Sequence, residues 1–423
     1  MSSAALEPSA DSDHRADSIA SLTGIRFIAA LTIVLGHIYS PVGVLTGIGM
    51  PLFFTLSGFI IHYVYSAEFA AGWRPTVLRF AGARFSRIYP LYFMLLLVDV
   101  MTTPMGRFLY HAADVRAILA YVFACWTWFP LSVEGHAAAD WNYSISWSVP
   151  TEIFFYCSYA LVFYRIAGLR SARVCFVALV GFCIGAYLLF YMLFLTRDAW
   201  ENWLLAQVSG FTPRTVSFDN SLYRWLLYTS PYGRIFEFIG GCLTCQLYLL
   251  LRGTPVARRL PVALFGWLAC LSMAMLIAVF WWAGPREPWL APDDSHLLSF
   301  FVSLHMNFLL APCCYLLIFA LAFGGSTLSR LLSSGFAVLL GEISYSTYLG
   351  HPLANRFVVG SAVGHIRHVS TVIDLVVIYI FSWMFYAALE MPAKRTLRRL
   401  FLRWRPRPHA GGILAAEERR GAY

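Results

Sequence analysis

Charge is scarce in this chain of 423 residues: Asp, Glu, Lys and Arg make up only 13% of it, about half the share a soluble domain carries. That shortage, beside a hydrophobic share of 59%, excludes a soluble enzyme and an intrinsically disordered protein. Lysine is almost missing; apart from Lys394, all 31 basic residues are Arg. No basic run interleaved with aromatics is present, so the net charge of +9 does not call for a nucleic-acid partner. The nine cysteines all lie within apolar stretches, and Cys242-x-x-Cys245 has neither a second pair nor a His beside it. A disulfide scaffold and a metal centre are therefore not expected. A basic start followed by a short apolar core is also lacking, so no cleavable leader is expected and the first apolar helix stays as an anchor. Finally, there is no G-x-S-x-G elbow for a serine nucleophile and no internal repeat. His136-Ala-Ala-Ala-Asp140 matches the HxxxD of one soluble acyltransferase class but lacks the Gly that usually follows, and is set aside.

Apolar length is abundant. A helix needs roughly 20 apolar residues to cross a bilayer core. Such segments run over 20–40, 47–66, 88–103, 117–131, 147–166, 174–196, 230–251, 261–283, 299–323, 336–354 and 371–390. Basic residues concentrate in 67–87, 165–173, 252–260 and the C-terminal tail, and the positive-inside tendency assigns all four to the cytoplasm. An even number of crossings must then separate 67–87 from 165–173, although three apolar segments lie between. The segment 117–131 is short and carries Trp126, Trp128 and Pro130, so it is read as re-entrant. The expectation is an all-α, polytopic helical bundle of about ten transmembrane helices with both termini cytoplasmic. It comprises a disordered tail over 1–18, a membrane domain over 19–391 and a basic cytoplasmic tail over 392–423.

Ionisable residues inside a membrane are costly and mark function. Arg26 and His37 share the first span. Eleven residues of helix separate them by about 16 Å and return to nearly the same face. A snorkelling arginine and a core histidine would read the same way in isolation. Ser57-Gly58 allows another helix to come close. Arg84 and Arg87, three apart, share a face and suit either phosphate binding or membrane anchoring. Trp147-Ser-Val-Pro-Thr-Glu152 opens a span with a carboxylate, Arg234 and Glu237 are spaced for an intrahelical ion pair, and His351 closes a later span. The assumed topology puts His37, Glu152, Arg234, Glu237 and His351 in the outer half and Arg26, Arg84 and Arg87 at the inner surface. A phosphate-bearing donor from the cytoplasm and an acceptor from outside would fit that division.

These residues, with Phe53-Phe-Thr-Leu-Ser-Gly58, Arg84-Phe-Ser-Arg87-Ile-Tyr-Pro90 and Ile343-Ser-Tyr-Ser-Thr-Tyr-Leu-Gly-His351, resemble the membrane acyltransferase-3 family in order and spacing over about residues 20–390. The resemblance implies an integral membrane O-acyltransferase, most often an O-acetyltransferase of a bacterial inner membrane. Its donor would be cytoplasmic acetyl-CoA and its acceptor a hydroxyl of a surface polysaccharide, lipopolysaccharide, oligosaccharide or antibiotic. It implies His37 as the catalytic histidine and Arg84 and Arg87 as aids to acyl-CoA. On this reading Glu152 or Glu237 orients or charge-balances His37, and Arg26 joins the arginine pair at the CoA phosphates. Trp147, Arg234, Tyr345 and His351 are expected to contact the acceptor, with Arg234, Tyr345 and Ser57 as candidate oxyanion donors. Some members carry a fused periplasmic hydrolase-like domain; here transfer is expected to be completed by the membrane domain, with or without a separate periplasmic partner. A macrolide-like or lipid acceptor stays open. So does a proton-coupled transporter, because Arg, Glu and His also build proton relays.

Overall fold

The computed structural model describes residues 10–39, 45–102, 115–133, 135–138, 144–283, 300–301, 304, 307–356 and 367–402. In chain order the first helices are α1 (Ala10–Ile38), α2 (Thr46–Ala71), α3 (Trp73–Thr102) and the short α4 (Val115–Val122). A two-stranded antiparallel hairpin follows, β1 (Ser132–Val133) and β2 (His136–Ala137). Next come α5 (Ser148–Leu161), α6 (Ala172–Leu195), α7 (Arg197–Leu205), α8 (Pro231–Leu251) and α9 (Val262–Ala283). The chain continues through α10 (Ala311–Phe323), α11 (Thr327–Leu332), α12 (Gly335–Glu342), α13 (Ser344–Ala354), α14 (Arg367–Phe385) and α15 (Met391–Leu402). The all-α expectation holds.

Six described stretches are long and apolar enough to cross a membrane: Ala20–Ile38, Thr46–Ala71, Trp73–Thr102, Ala172–Leu195, Leu222–Leu251 and Thr371–Leu397. The expected ten crossings are not matched as a count. Several apolar stretches that read as single spans are broken. The one over 147–166 becomes a 14-residue α5 and then a 3-10 turn, Phe163–Gly168. The one over 336–354 breaks at Ile343 between α12 and α13. Val262–Met275 and Phe308–Phe323 are apolar but shorter than a full crossing. Over 117–131 the backbone does not run as one helix. The α4 helix ends after 8 residues and the chain turns at Ala124, whose φ is positive. Its Trp126 is fully buried, so this segment runs into the bundle. At the N-terminus helix begins at Ala10, well inside the expected 18-residue tail, where Ala10-Asp-Ser-Asp13 supplies acidic residues to a helix start. The start of the expected basic tail is likewise helical, as α15.

The helices divide into inner and outer. In α2 and the Leu222–Leu251 stretch, 72% and 67% of the apolar window is buried, against 17% in α6 and in Thr371–Leu397. The peripheral helices turn Phe176, Val177, Ile184 and Leu188, or Val376, Ile380 and Trp383, outward, as lipid-facing helices do. At the centre α8 lies along α2. Glycine permits the contact: a Cβ on Gly58 would strike the Phe238 carbonyl, and one on Gly241 would strike the Thr55 carbonyl. The small-residue reading of Ser57-Gly58 is therefore correct as packing. Gly241→Val should force these two helices apart at a cost of about 1–3 kcal/mol. A lower midpoint in thermal unfolding of detergent-purified protein would register it, while Gly181→Ala on the open face of α6 serves as the control.

Candidate functional site

Two groups of polar side chains occupy different levels of the bundle, and α13 serves both. The first group gathers around Arg26 on α1. Its charged and phenolic neighbours are Arg87 on α3, Glu152 and Tyr156 on α5, and Glu390 after α14. Glu390 is buried and accepts a 2.6 Å hydrogen bond from Ser346 Oγ on α13. It has Lys394, one helical turn on, as a further charged neighbour. Tyr345 anchors α13 to α3 by donating to the Ile88 carbonyl at 2.8 Å. Glu152 is held by two donors on the same oxygen, Ser57 Oγ at 2.9 Å and the Tyr156 hydroxyl at 2.5 Å.

The three arginines differ. Arg84 donates to the Tyr65 hydroxyl at 3.3 Å and lies over the Tyr65 and Tyr156 rings, so an aromatic wall occupies it. Arg26 and Arg87 are half-buried and, among the described residues, have no hydrogen-bond or ion-pair partner. Two guanidinium groups with open donors and a positive local balance have the chemistry to hold an anion.

The second group lies further along α1 and α13. His37, exposed near the end of α1, brings Nδ1 to 3.2 Å from Nε2 of His351. The rings are 18° from parallel with centroids 5.2 Å apart. His351 is buried, and its Nδ1 sits 2.8 Å from the Tyr348 carbonyl of its own helix. Counting at 1.5 Å per residue, His37 is about 16 Å from Arg26 along α1 and His351 about 9 Å from Tyr345 along α13.

Between and beside the two levels, Tyr348 donates to the Ile145 carbonyl at 2.6 Å and packs on Phe53. Arg234 and Glu237 pair at 3.2 Å with no exposure at either side chain. The Arg234 guanidinium is enclosed by the rings of Phe54, Trp147 and Tyr228. Removing either member of a buried pair strands the other, so this pair holds the wall of the site.

The structure thus brings Arg26, Arg87, Glu152 and Tyr345 together, and His37 with His351. It places Arg234, Glu237 and Trp147 in a neighbouring aromatic box. It does not bring Glu152 or Glu237 to His37: neither carboxylate bonds to that ring, and Glu152 belongs to the arginine level. The expectation put Glu152 at the outer level because its span opens from that side. In fact the first turn of α5 is enclosed, with Ser148, Val149, Pro150 and Thr151 all buried, and Glu152 is bonded to Ser57 and Tyr156. Reading the sequence also missed Glu390, Ser346 and Tyr156. A signal existed for Glu390, a carboxylate ending the last apolar run; Ser346 and Tyr156 look like ordinary helix residues until their partners are seen.

A family model described as an acyltransferase domain matches residues 19–389, which takes in both groups and nearly the whole helical bundle. No curated protein and no solved structure matches the chain.

Proposed function

Because the chain belongs to the membrane acyltransferase-3 family, we propose that this integral membrane acyltransferase moves an acetyl group from cytoplasmic acetyl-CoA to a hydroxyl of a surface or exported saccharide. The observation that carries the reading is the pairing of an anion site at Arg26 and Arg87 with a histidine about 16 Å further along the same helix. A CoA molecule has that layout: phosphates at one end, a thioester at the other and an extended pantetheine arm between them. Arg26 and Arg87 hold phosphate through charge-assisted hydrogen bonds, and Arg84 adds positive charge from behind. Glu152 and Glu390 lie close enough to Arg26 to balance part of its charge without bonding to it.

At the other level the His37 imidazole takes the proton of the acceptor hydroxyl. The oxygen attacks the thioester carbonyl, a C–O bond forms and the C–S bond breaks. The departing thiolate takes the proton from the imidazolium, so the products are an ester and CoA thiol. The buried box around Arg234 and Trp147 braces the wall of the site rather than contacting the acceptor. On this reading the arginine level and both termini face the cytoplasm, the side that the basic loops favour, in a bacterial inner membrane, and the saccharide is met with or without a separate periplasmic protein. Purified protein in lipid nanodiscs should release CoA thiol from acetyl-CoA when a hydroxyl-rich oligosaccharide is supplied. Absence of thiol release across a panel of saccharide, macrolide and lipid acceptors, with proton flux in sealed vesicles, would instead mark a transporter.

A further inference from the structure

We propose that His351 is a positioning residue that fixes the tautomer of His37, leaving His37 Nε2 as the atom that accepts the proton. This inference rests on the acyl-transfer reading above. It begins with a carbonyl, which only accepts hydrogen bonds. The Tyr348 carbonyl lies 2.8 Å from His351 Nδ1, so that nitrogen carries a proton. A neutral imidazole protonated at Nδ1 has its lone pair at Nε2, and that nitrogen lies 3.2 Å from His37 Nδ1. His37 must then be the donor, with its proton on Nδ1. The reverse assignment would face two lone pairs across the gap or strand a proton against a proton.

Burial separates the roles. His351 is only 2% exposed, locked against its own helix, while His37 is exposed at the bundle surface. A substrate can reach His37 but not the far ring, so His351 acts through His37 and does not contact the acceptor, contrary to the expectation from sequence. The arrangement follows the general logic of an activated base oriented by a third group. Here the orienting group is a neutral imidazole backed by a backbone carbonyl. When His37 gains the proton, its Nδ1–H bond to His351 remains and steadies the imidazolium.

The test is a set of variants in membranes with matched protein levels, using acetyl-CoA and an oligosaccharide. His351→Leu should lower kcat roughly 10- to 100-fold, as expected for a hydrogen-bond donor left without its acceptor, with the KM for acetyl-CoA unchanged. His351→Gln, whose side-chain carbonyl can accept from His37 Nδ1–H, should recover most of that loss. The double variant His37→Gln/His351→Leu should be no slower than His37→Gln alone, because the second residue acts only through the first. His351→Met replaces the leucine variant if leucine lowers protein levels. Wild-type kcat in His351→Leu, no recovery with glutamine, or additive losses in the double variant would overturn the assignment of His351. Full turnover in His37→Gln would instead remove His37 as the base, whereas no ester formed by the wild type would overturn the acyl-transfer reading itself.

Discussion

His37→Gln should lower acyl transfer by roughly 10²- to 10⁴-fold, the usual contribution of a positioned general base, while leaving protein levels in the membrane unchanged. Glutamine keeps a polar group of similar reach but has no nitrogen able to take a proton. The substitution is mild for packing, because the ring is exposed near the end of α1 and its one side-chain partner is His351. Acceptor acetylation, measured by mass spectrometry in membranes of equal protein content, reads the effect. Near-normal acetylation would make the imidazole pair a structural contact and remove the base from the mechanism.

The next largest effects belong to Arg26→Gln and Arg87→Gln. Each removes a guanidinium that has no protein partner among the described residues, so its donors are open to a ligand. Loss of one charge-assisted phosphate contact costs about 1.5–3 kcal/mol, or roughly 10- to 150-fold in affinity. The loss should fall on the KM for acetyl-CoA, with saccharide KM little changed. Arg84→Gln should weaken the donor less, since Arg84 already lies against Tyr65 and Tyr156. Equal KM values for acetyl-CoA in wild type, Arg26→Gln and Arg87→Gln would dissolve the anion site. A larger effect from Arg84 than from Arg87 would reverse their order.

What could be read from the sequence was whatever lies along one helix. The 11-residue spacing of Arg26 and His37, the glycine that lets α8 approach α2, and the Arg234–Glu237 pair are all local patterns, and each is present in the fold. Contacts across the chain were not legible. His37 meets His351 from 314 residues away, and Glu390 meets Ser346 across two helices. Nothing in either segment's periodicity states its partner. Depth was misjudged wherever an apolar run was not one straight helix. Counting α5 as a full crossing lifted Glu152 to the histidine level, whereas the enclosed first turn of this 14-residue helix leaves it with the arginines. The count of ten crossings is not confirmed for a related reason. Hydropathy adds up apolar residues and is blind to the break at Ile343 and the turn after Leu161.

The most direct test follows the acyl group itself. Inverted membrane vesicles, sealed and carrying the acceptor saccharide inside, receive acetyl-CoA labelled in the acetyl group on the outside. With wild-type protein the label should appear as an ester on the enclosed saccharide, in step with CoA thiol released outside, and with His37→Gln it should stay on CoA. Label on the saccharide at the wild-type rate with His37→Gln, or thiol release with no labelled ester from the wild type, would contradict the account.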